Sequence, residues 1–230
     1  MTLADLAGAT IVFDLDGTLV DTAPDLVRAL NQTLDLEGLP RVPAASVRKL
    51  VGQGARALIE RGAALADVRF SPDRLDQLTN EFITFYKADI AAESTPFPGA
   101  LEALDELAQA GAILAVCTNK RSDLSRQLLE ALSLHERFAA IVGADSVANR
   151  KPHPDHFREA VARAGGVVMR ALMVGDSSAD VKSAQAAGAP AILCSFGYAD
   201  GAPEEMGADA IVAHYDELSA AARRLLAPRS

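Results

Sequence analysis

Two aspartates, Asp14 and Asp16, close the apolar run Ile11-Val12-Phe13 with only Leu15 between them, and a Gly17-Thr18 turn follows at once. In an extended strand, side chains at i and i+2 face the same side. The second acid falls where the strand gives way to the turn, so both can reach one pocket without being stacked rigidly together. A strand buried on both faces has little reason to end in two acids, because unpaired buried charge is costly. The pair suits a nucleophilic carboxylate and an acid/base partner beside a hard metal ion. The competing reading is a strand running into a solvated acidic turn.

Three later segments carry further polar groups: Thr118-Asn119-Lys120, Arg150-Lys151-Pro152-His153-Pro154, and Gly175-Asp176-Ser177-Ser178-Ala179-Asp180. Each has an ordinary explanation alone. Thr118-Asn119 can be a helix N-cap, Lys151 a solvated loop cation, and Asp176 with Asp180 a capping pair. Together with Asp14 and Asp16 they form a set that ordinary capping does not account for. His135, His153, His156 and His214 show no spacing that suggests zinc, and His153 and His156 read as surface residues at a helix start. Gly52-Gln53-Gly54 follows a helical stretch and not a strand, so it reads as a tight turn and not as a dinucleotide loop.

The elements that position these groups follow from hydrophobic patterning. Continuous apolar runs at 10–15, 113–118, 141–144, 171–176 and 191–196, with a weaker one at 210–214, are the pattern of parallel strands buried on both faces. Amphipathic stretches at 100–109, 122–132, 156–164 and 178–187 alternate with them, and three of these end at glycine: Gly111, Gly165-Gly166 and Gly188. The alternation predicts an α/β fold with a doubly wound parallel sheet and right-handed crossovers. In such sheets ligands bind at the C-terminal strand ends, where the polar segments fall. Between the first two runs lie helical patterns at 25–36, 54–65 and 73–87, punctuated by Pro40, Pro43 and Pro72. An unstructured loop of that length is improbable. The division expected is a core of residues 1–19 and 97–230 with an inserted helical subdomain at 20–96.

Half of the 230 residues are hydrophobic and the formal net charge is −9, which argues against nucleic acid or an anionic membrane as a main partner. A small anionic substrate remains compatible, because a metal ion and a few cations can reverse the local field. No apolar stretch is long enough to span a bilayer. The opening MTLADLAGAT lacks a basic leader, so no signal peptide is expected. Cys117 and Cys194 sit in strand-like runs and read as buried free thiols, which fits a reducing cytoplasmic location.

In this order, the four polar segments resemble the haloacid dehalogenase-like hydrolase superfamily over essentially the whole chain, insertion included. Within it, Phe13-Asp14-Leu15-Asp16-Gly17-Thr18-Leu19-Val20-Asp21-Thr22-Ala23-Pro24-Asp25-Leu26 is similar to the opening of the phosphoglycolate phosphatases. Val51 to Leu58 resembles their cap loop, and Thr118-Asn119-Lys120 and Phe196-Gly197-Tyr198 recur there. The resemblance implies a Mg²⁺-dependent phosphatase of carbohydrate metabolism that acts on a small phosphorylated metabolite, 2-phosphoglycolate, releasing glycolate and phosphate, as a monomer or homodimer. Asp14 would form an aspartyl-phosphate, and Asp16 would protonate the leaving oxygen and then deprotonate water. Nearby carboxylates are expected to help Asp16 keep its proton. Mg²⁺ would be held by Asp14, the backbone carbonyl of Asp16, and Asp176. Thr118 would bond the phosphoryl oxygens and Lys151 would neutralise their charge, with Asp180 orienting Lys151 or a water on the metal. Gly17, Thr18, Asn119, Gly52 and Arg56 would contact substrate, Arg56 being the nearest cation for a substrate carboxylate.

Rival chemistries are open to different degrees. Dehalogenases of the superfamily lack the second acid. Phosphonate-cleaving members lack it too and use a cap lysine; Lys49 lies near that loop, but Asp16 points away from such chemistry. Phosphomutases keep both acids and differ in the cap loop. Another small monoester (a sugar phosphate, a MurNAc 6-phosphate-type compound or pyrophosphate) is the alternative substrate, and a non-catalytic binding module on the same fold is the alternative class.

Overall fold

A computed structural model describes residues 6–43, 51–52, 54–198 and 201–227; Lys49 and Gln53 lie outside these. Six parallel strands form the main sheet in the order β5-β4-β1-β6-β7-β8. Strand β1, Thr10–Phe13, is the centre, flanked by β4, Ile113–Cys117, and β6, Ala171–Gly175. Strand β5, Ala140–Val142, lies outside β4, while β7, Ala191–Cys194, and β8, Ala210–Val212, extend the other side. Successive residues of β1 face opposite cores. Ile11 and Phe13 pack in one apolar cluster with Leu104, Leu107 and Leu218, and Val12 packs in the other with Phe157, Val161 and Val181. The layers follow from that alternation. Helices α4, Ala100–Gln109, and α8, Leu218–Leu226, contribute to the first cluster, as does α5, Ser122–Ala131; α6, Pro154–Arg163, and α7, Ser178–Ala187, build the second.

Between β1 and β4 stands the helical segment. A short antiparallel ribbon joins β2, Val20–Asp21, to β3, Thr95–Pro96, with Val20 opposite Pro96. It brings the chain's departure and return side by side. Among the described residues the segment contains α1, Ala23–Asp35, α2, Ala55–Ala64, and α3, Pro72–Ala88. Ser71 caps α3 by accepting the Arg74 N–H at 3.3 Å, and Pro72 fills its first turn. Asp25 locks the ribbon to α1: it is fully buried and accepts the Glu93 and Ser94 N–H groups at 3.0 and 2.8 Å and the Ser94 hydroxyl at 2.6 Å.

The strands stop one or two residues before the apolar runs do. Hydrogen bonding nevertheless reaches past β1, where the Asp14 N–H donates to the Val174 carbonyl at 2.9 Å, and past β4, where the Thr118 N–H donates to Val142 at 3.0 Å. The ribbon and α8 are additions to the elements expected from patterning. Both cysteines are buried and free. No helix among the described residues is long and apolar enough to cross a membrane.

Candidate active site

Asp14, Asp176 and Asp180 stand at the C-terminal edge of β1 and β6, each offering a carboxylate oxygen within 4.8 Å of the others. Lys151, also buried, reaches into the cluster: its Nζ lies 3.0 Å from Asp14 Oδ1 and donates to Asp180 Oδ1 and to the Cys117 carbonyl, both at 2.6 Å. Asp180 serves two groups at once. Its second oxygen accepts the Ser177 N–H at 3.1 Å and hydroxyl at 2.6 Å, closing the capping box of α7. Capping and site chemistry, rivals in the sequence, are one arrangement here.

Asp176 is held from two sides. Thr18 Oγ1 donates to its Oδ1 at 2.8 Å and the Tyr198 N–H donates to its Oδ2 at 2.7 Å. Thr18 is fully buried, and its hydroxyl is committed to Asp176. Gly17 has φ +82°, and a β-carbon there would collide with Asp176 Oδ2 and the Tyr198 ring. At Gly17 and Thr18, where the sequence suggested a substrate contact, the structure shows a turn that places Asp176. Gly175 is required in the same way, since a β-carbon would enter the Asp180 carboxylate.

Three buried acids around one ammonium leave negative charge in excess. Burial raises Asp14 to about 6 against the opposing pull of Lys151, and burial together with the charges of Asp14 and Asp180 raises Asp176 well above the carboxylate range. A hard divalent cation with oxygen ligands fits this donor set and would relieve the excess. The carboxylate cluster is Asp14, Asp176 and Asp180; the Asp16 side chain points elsewhere.

Asp16 accepts two bonds from the Lys120 ammonium, at 2.7 and 3.0 Å, and one from the Thr22 hydroxyl at 2.8 Å. The expected carboxylate surroundings of Asp16 are thus replaced by donors. Thr22 occupies the N-cap position of α1 without capping it, because its hydroxyl is turned to Asp16. Lys120 is buried, with its Nζ 4.6 Å from the centre of the Tyr86 ring on α3. The sequence offered little to single Lys120 out from Asn119 beside it. Tyr198 was equally inconspicuous; besides its N–H on Asp176, its hydroxyl donates to Asp21 at 2.5 Å and accepts the Ala23 N–H at 2.9 Å.

His156 corrects another expectation. It is fully buried, not on the surface. Its Nδ1 accepts the Lys151 N–H at 3.1 Å and its Nε2 faces the Val142 carbonyl at 3.2 Å, the arrangement of a neutral ring. Burial, then the Lys151 charge, lowers it to about 4. His153 is the exposed N-cap of α6.

Two cavities meet over Asp14 and Asp16. One, of 390 Å³, extends past Thr118 and Lys120 toward Leu58, Phe82 and Tyr86 of the helical segment. The other, of 570 Å³, opens over Lys151, Asp176 and Ser177. Gly52, Asn119 and Arg150 line both. Asn119 Nδ2 donates to the Lys151 carbonyl at 3.1 Å and lies 3.4 Å from the Gly52 carbonyl, tying the turn before α2 to the Lys151 loop. Its Oδ1 is buried and has no hydrogen-bond partner among the described residues. Arg56 lines the smaller cavity, but its guanidinium is paired with Asp76 of α3 and half exposed.

The chain matches the family model of haloacid dehalogenase-like hydrolases over residues 11–194. It is 50% identical over 225 residues to a phosphoglycolate phosphatase of Caulobacter vibrioides, covering 98% of this chain and 95% of that protein. It is 45% identical over 209 residues to one of Mesorhizobium japonicum, covering 91% and 92%. The crystal structure of a predicted phosphoglycolate phosphatase from Haemophilus somnus 129pt superposes with a TM-score of 0.85 at 29% identity, over 96% of this chain and 98% of that one. That of CbbY from Rhodobacter sphaeroides, in complex with phosphate, has a TM-score of 0.77 at 27% identity, over 91% and 96%.

Proposed function

This chain belongs to the haloacid dehalogenase-like hydrolase family, and on that premise we propose that it is a Mg²⁺-dependent phosphatase whose substrate is 2-phosphoglycolate, released as glycolate and phosphate. The observation that carries the reading is the division between two neighbouring acids. Asp14 lies in the acidic cluster with Lys151 on one oxygen, and Asp16 faces the same cavities from a separate pair with Lys120. Carboxylates held in different environments suit different roles, and a divalent cation in the acidic cluster would keep Asp14 ionised, as a nucleophile must be.

Asp14 is the nucleophile: its oxygen bonds to phosphorus as the bond to the glycolate oxygen breaks. Asp16, protonated at the start of the step, gives that departing oxygen its proton and recovers one from the water that cleaves the aspartyl-phosphate. Thr118, at the end of β4, bonds the phosphoryl oxygens, and Lys151 balances charge on them and on Asp14. Asp180 orients Lys151, and Lys120 with Thr22 orients Asp16. Mg²⁺ held by Asp14, Asp176 and the Asp16 backbone carbonyl would supply positive charge against the phosphoryl group. We read residues 20–96 as a cap over residues 1–19 and 97–230, so the helical segment selects the organic end of the substrate while the core acts on phosphate. The acidic chain, its two free thiols and the small substrate fit a cytoplasmic enzyme working as a monomer or homodimer.

The test is a panel of phosphate monoesters and pyrophosphate assayed with Mg²⁺. The highest kcat/KM should fall on 2-phosphoglycolate. Preference for a sugar phosphate would remove the named substrate and leave the phosphatase.

A further inference from the structure

Most cations lining the two cavities are already engaged. Lys120 is on Asp16, Lys151 on Asp14 and Asp180, Arg121 on Asp123, and Arg56 on Asp76; Arg61 also has a partner. Arg150 and Lys182 make no ion pair among the described residues. Lys182 lines only the cavity over Asp176, whereas Arg150 lines both. The Arg150 Nη1 stands 3.4 Å from the point a β-carbon on Gly54 would occupy, so the guanidinium sits at the seam between the turn before α2 and the Lys151 loop. Asn119 closes that seam through the Gly52 and Lys151 carbonyls.

We infer that Arg150 is the specificity residue that reads the substrate's carboxylate, through the planar two-pronged contact a guanidinium makes with a carboxylate. The inference rests on the phosphoglycolate reading above. In that ester one oxygen and one methylene separate phosphorus from the carboxylate carbon, so the group that reads the carboxylate must share a cavity with Asp14. Arg150 does so on both sides. Lys151, the next residue, is fixed on Asp14, which leaves the two charged groups of the substrate to two adjacent cations. A guanidinium presents paired donors in the geometry of a carboxylate, and an ammonium does not. Arg150 is exposed, so it stays solvated until an anion arrives. Arg56, the cation suggested by the sequence, already has Asp76 for that purpose.

The experiment compares kcat/KM for 2-phosphoglycolate with that for 2-hydroxyethyl phosphate, which replaces the carboxylate by a neutral group, in wild type, Arg150→Ala, Arg150→Lys and Arg56→Ala. Wild type should prefer phosphoglycolate. Arg150→Ala should cut that preference by about ten- to a hundredfold, the loss expected for one charge-assisted contact, with unchanged melting temperature. Arg150→Lys should restore only part of it. A preference that survives Arg150→Ala, or that falls with Arg56→Ala instead, overturns the inference while the phosphoglycolate reading stands. A wild type without the preference overturns both.

Discussion

Lys120 donates to both carboxylate oxygens of Asp16, at 2.7 and 3.0 Å, although 104 residues separate them in the chain. The contact joins the end of β4 to the turn after β1 and, through the Tyr86 ring, both to α3. Replacing Lys120 by Met would leave Asp16 without its ammonium. We expect kcat to fall about 10²-fold, the lower range for impairing a general acid/base, with KM moving less. Lys120→Arg should recover part of the rate. A kcat within twofold of wild type for Lys120→Met would mean that the pair is structural only.

Metal removal should abolish turnover, and Mg²⁺ should restore it. Ca²⁺ should bind and stabilise without supporting turnover, since it prefers more ligands and looser geometry. The stability effect has a pH signature. Asp14 is raised from 3.8 to about 6 by burial, so the metal-free fold loses stability as pH rises through about 6 and the site ionises. Mg²⁺ should therefore stabilise the fold most above pH 6, by about 2.7 kcal/mol at a hundredfold excess over Kd, with the largest rise in melting temperature there. Thermal scans with and without Mg²⁺ across this range check it, and an increment that grows toward acid pH would contradict the assigned ligands.

His156 gives a second window with the opposite slope. Its folded value, about 4, lies below the ordinary 6.5. The unfolded chain then binds a proton that the folded chain does not, so the contribution is complete above about 6.5 and is lost as pH falls toward 4. Its ceiling is about 3 kcal/mol. The stability difference between wild type and His156→Gln should narrow across that window in denaturant titrations. A constant difference would show that the buried ring is not held neutral.

Gly17→Ala should be far more damaging than an ordinary turn substitution. The position combines φ +82° with the Asp176 carboxylate where a β-carbon would lie. We expect a loss of about 2–4 kcal/mol and a larger loss of turnover, because Asp176 must move. Melting temperature and Mg²⁺ affinity report the two effects separately. Retention of both would show that the turn relaxes freely.

The sheet was legible because both-face burial writes continuous apolar runs, and the helical segment because its residues repeat at helical spacing. Strand ends were less so. Apolar character persists through Leu15 and Phe196, whereas the ladder depends on partners the runs do not reveal. Helix α8 carries buried Leu218 and Ala222 at helical spacing, a signal present in the sequence after the last strand-like run. In the site, Asp14, Asp176, Asp180 and Lys151 were legible as a set, because capping and solvation account for each segment alone but not for all of them together with Asp16. Lys120, Tyr198 and the placing role of Thr18 depend on which distant residue each side chain meets. Spacing along the chain does not encode that. For the same reason Arg56 looked available while Asp76 held it, and His156 looked exposed while its ring is buried between the Lys151 N–H and the Val142 carbonyl.

The most direct test of the account is the rate of phosphate release from 2-phosphoglycolate by Asp14→Asn in saturating Mg²⁺, measured beside wild type with melting temperatures as the check on folding. An amide of the same shape is no nucleophile, so the account predicts a folded protein whose kcat is lower by at least about 10⁴-fold. A folded Asp14→Asn protein that works within tenfold of wild type would contradict covalent catalysis by Asp14.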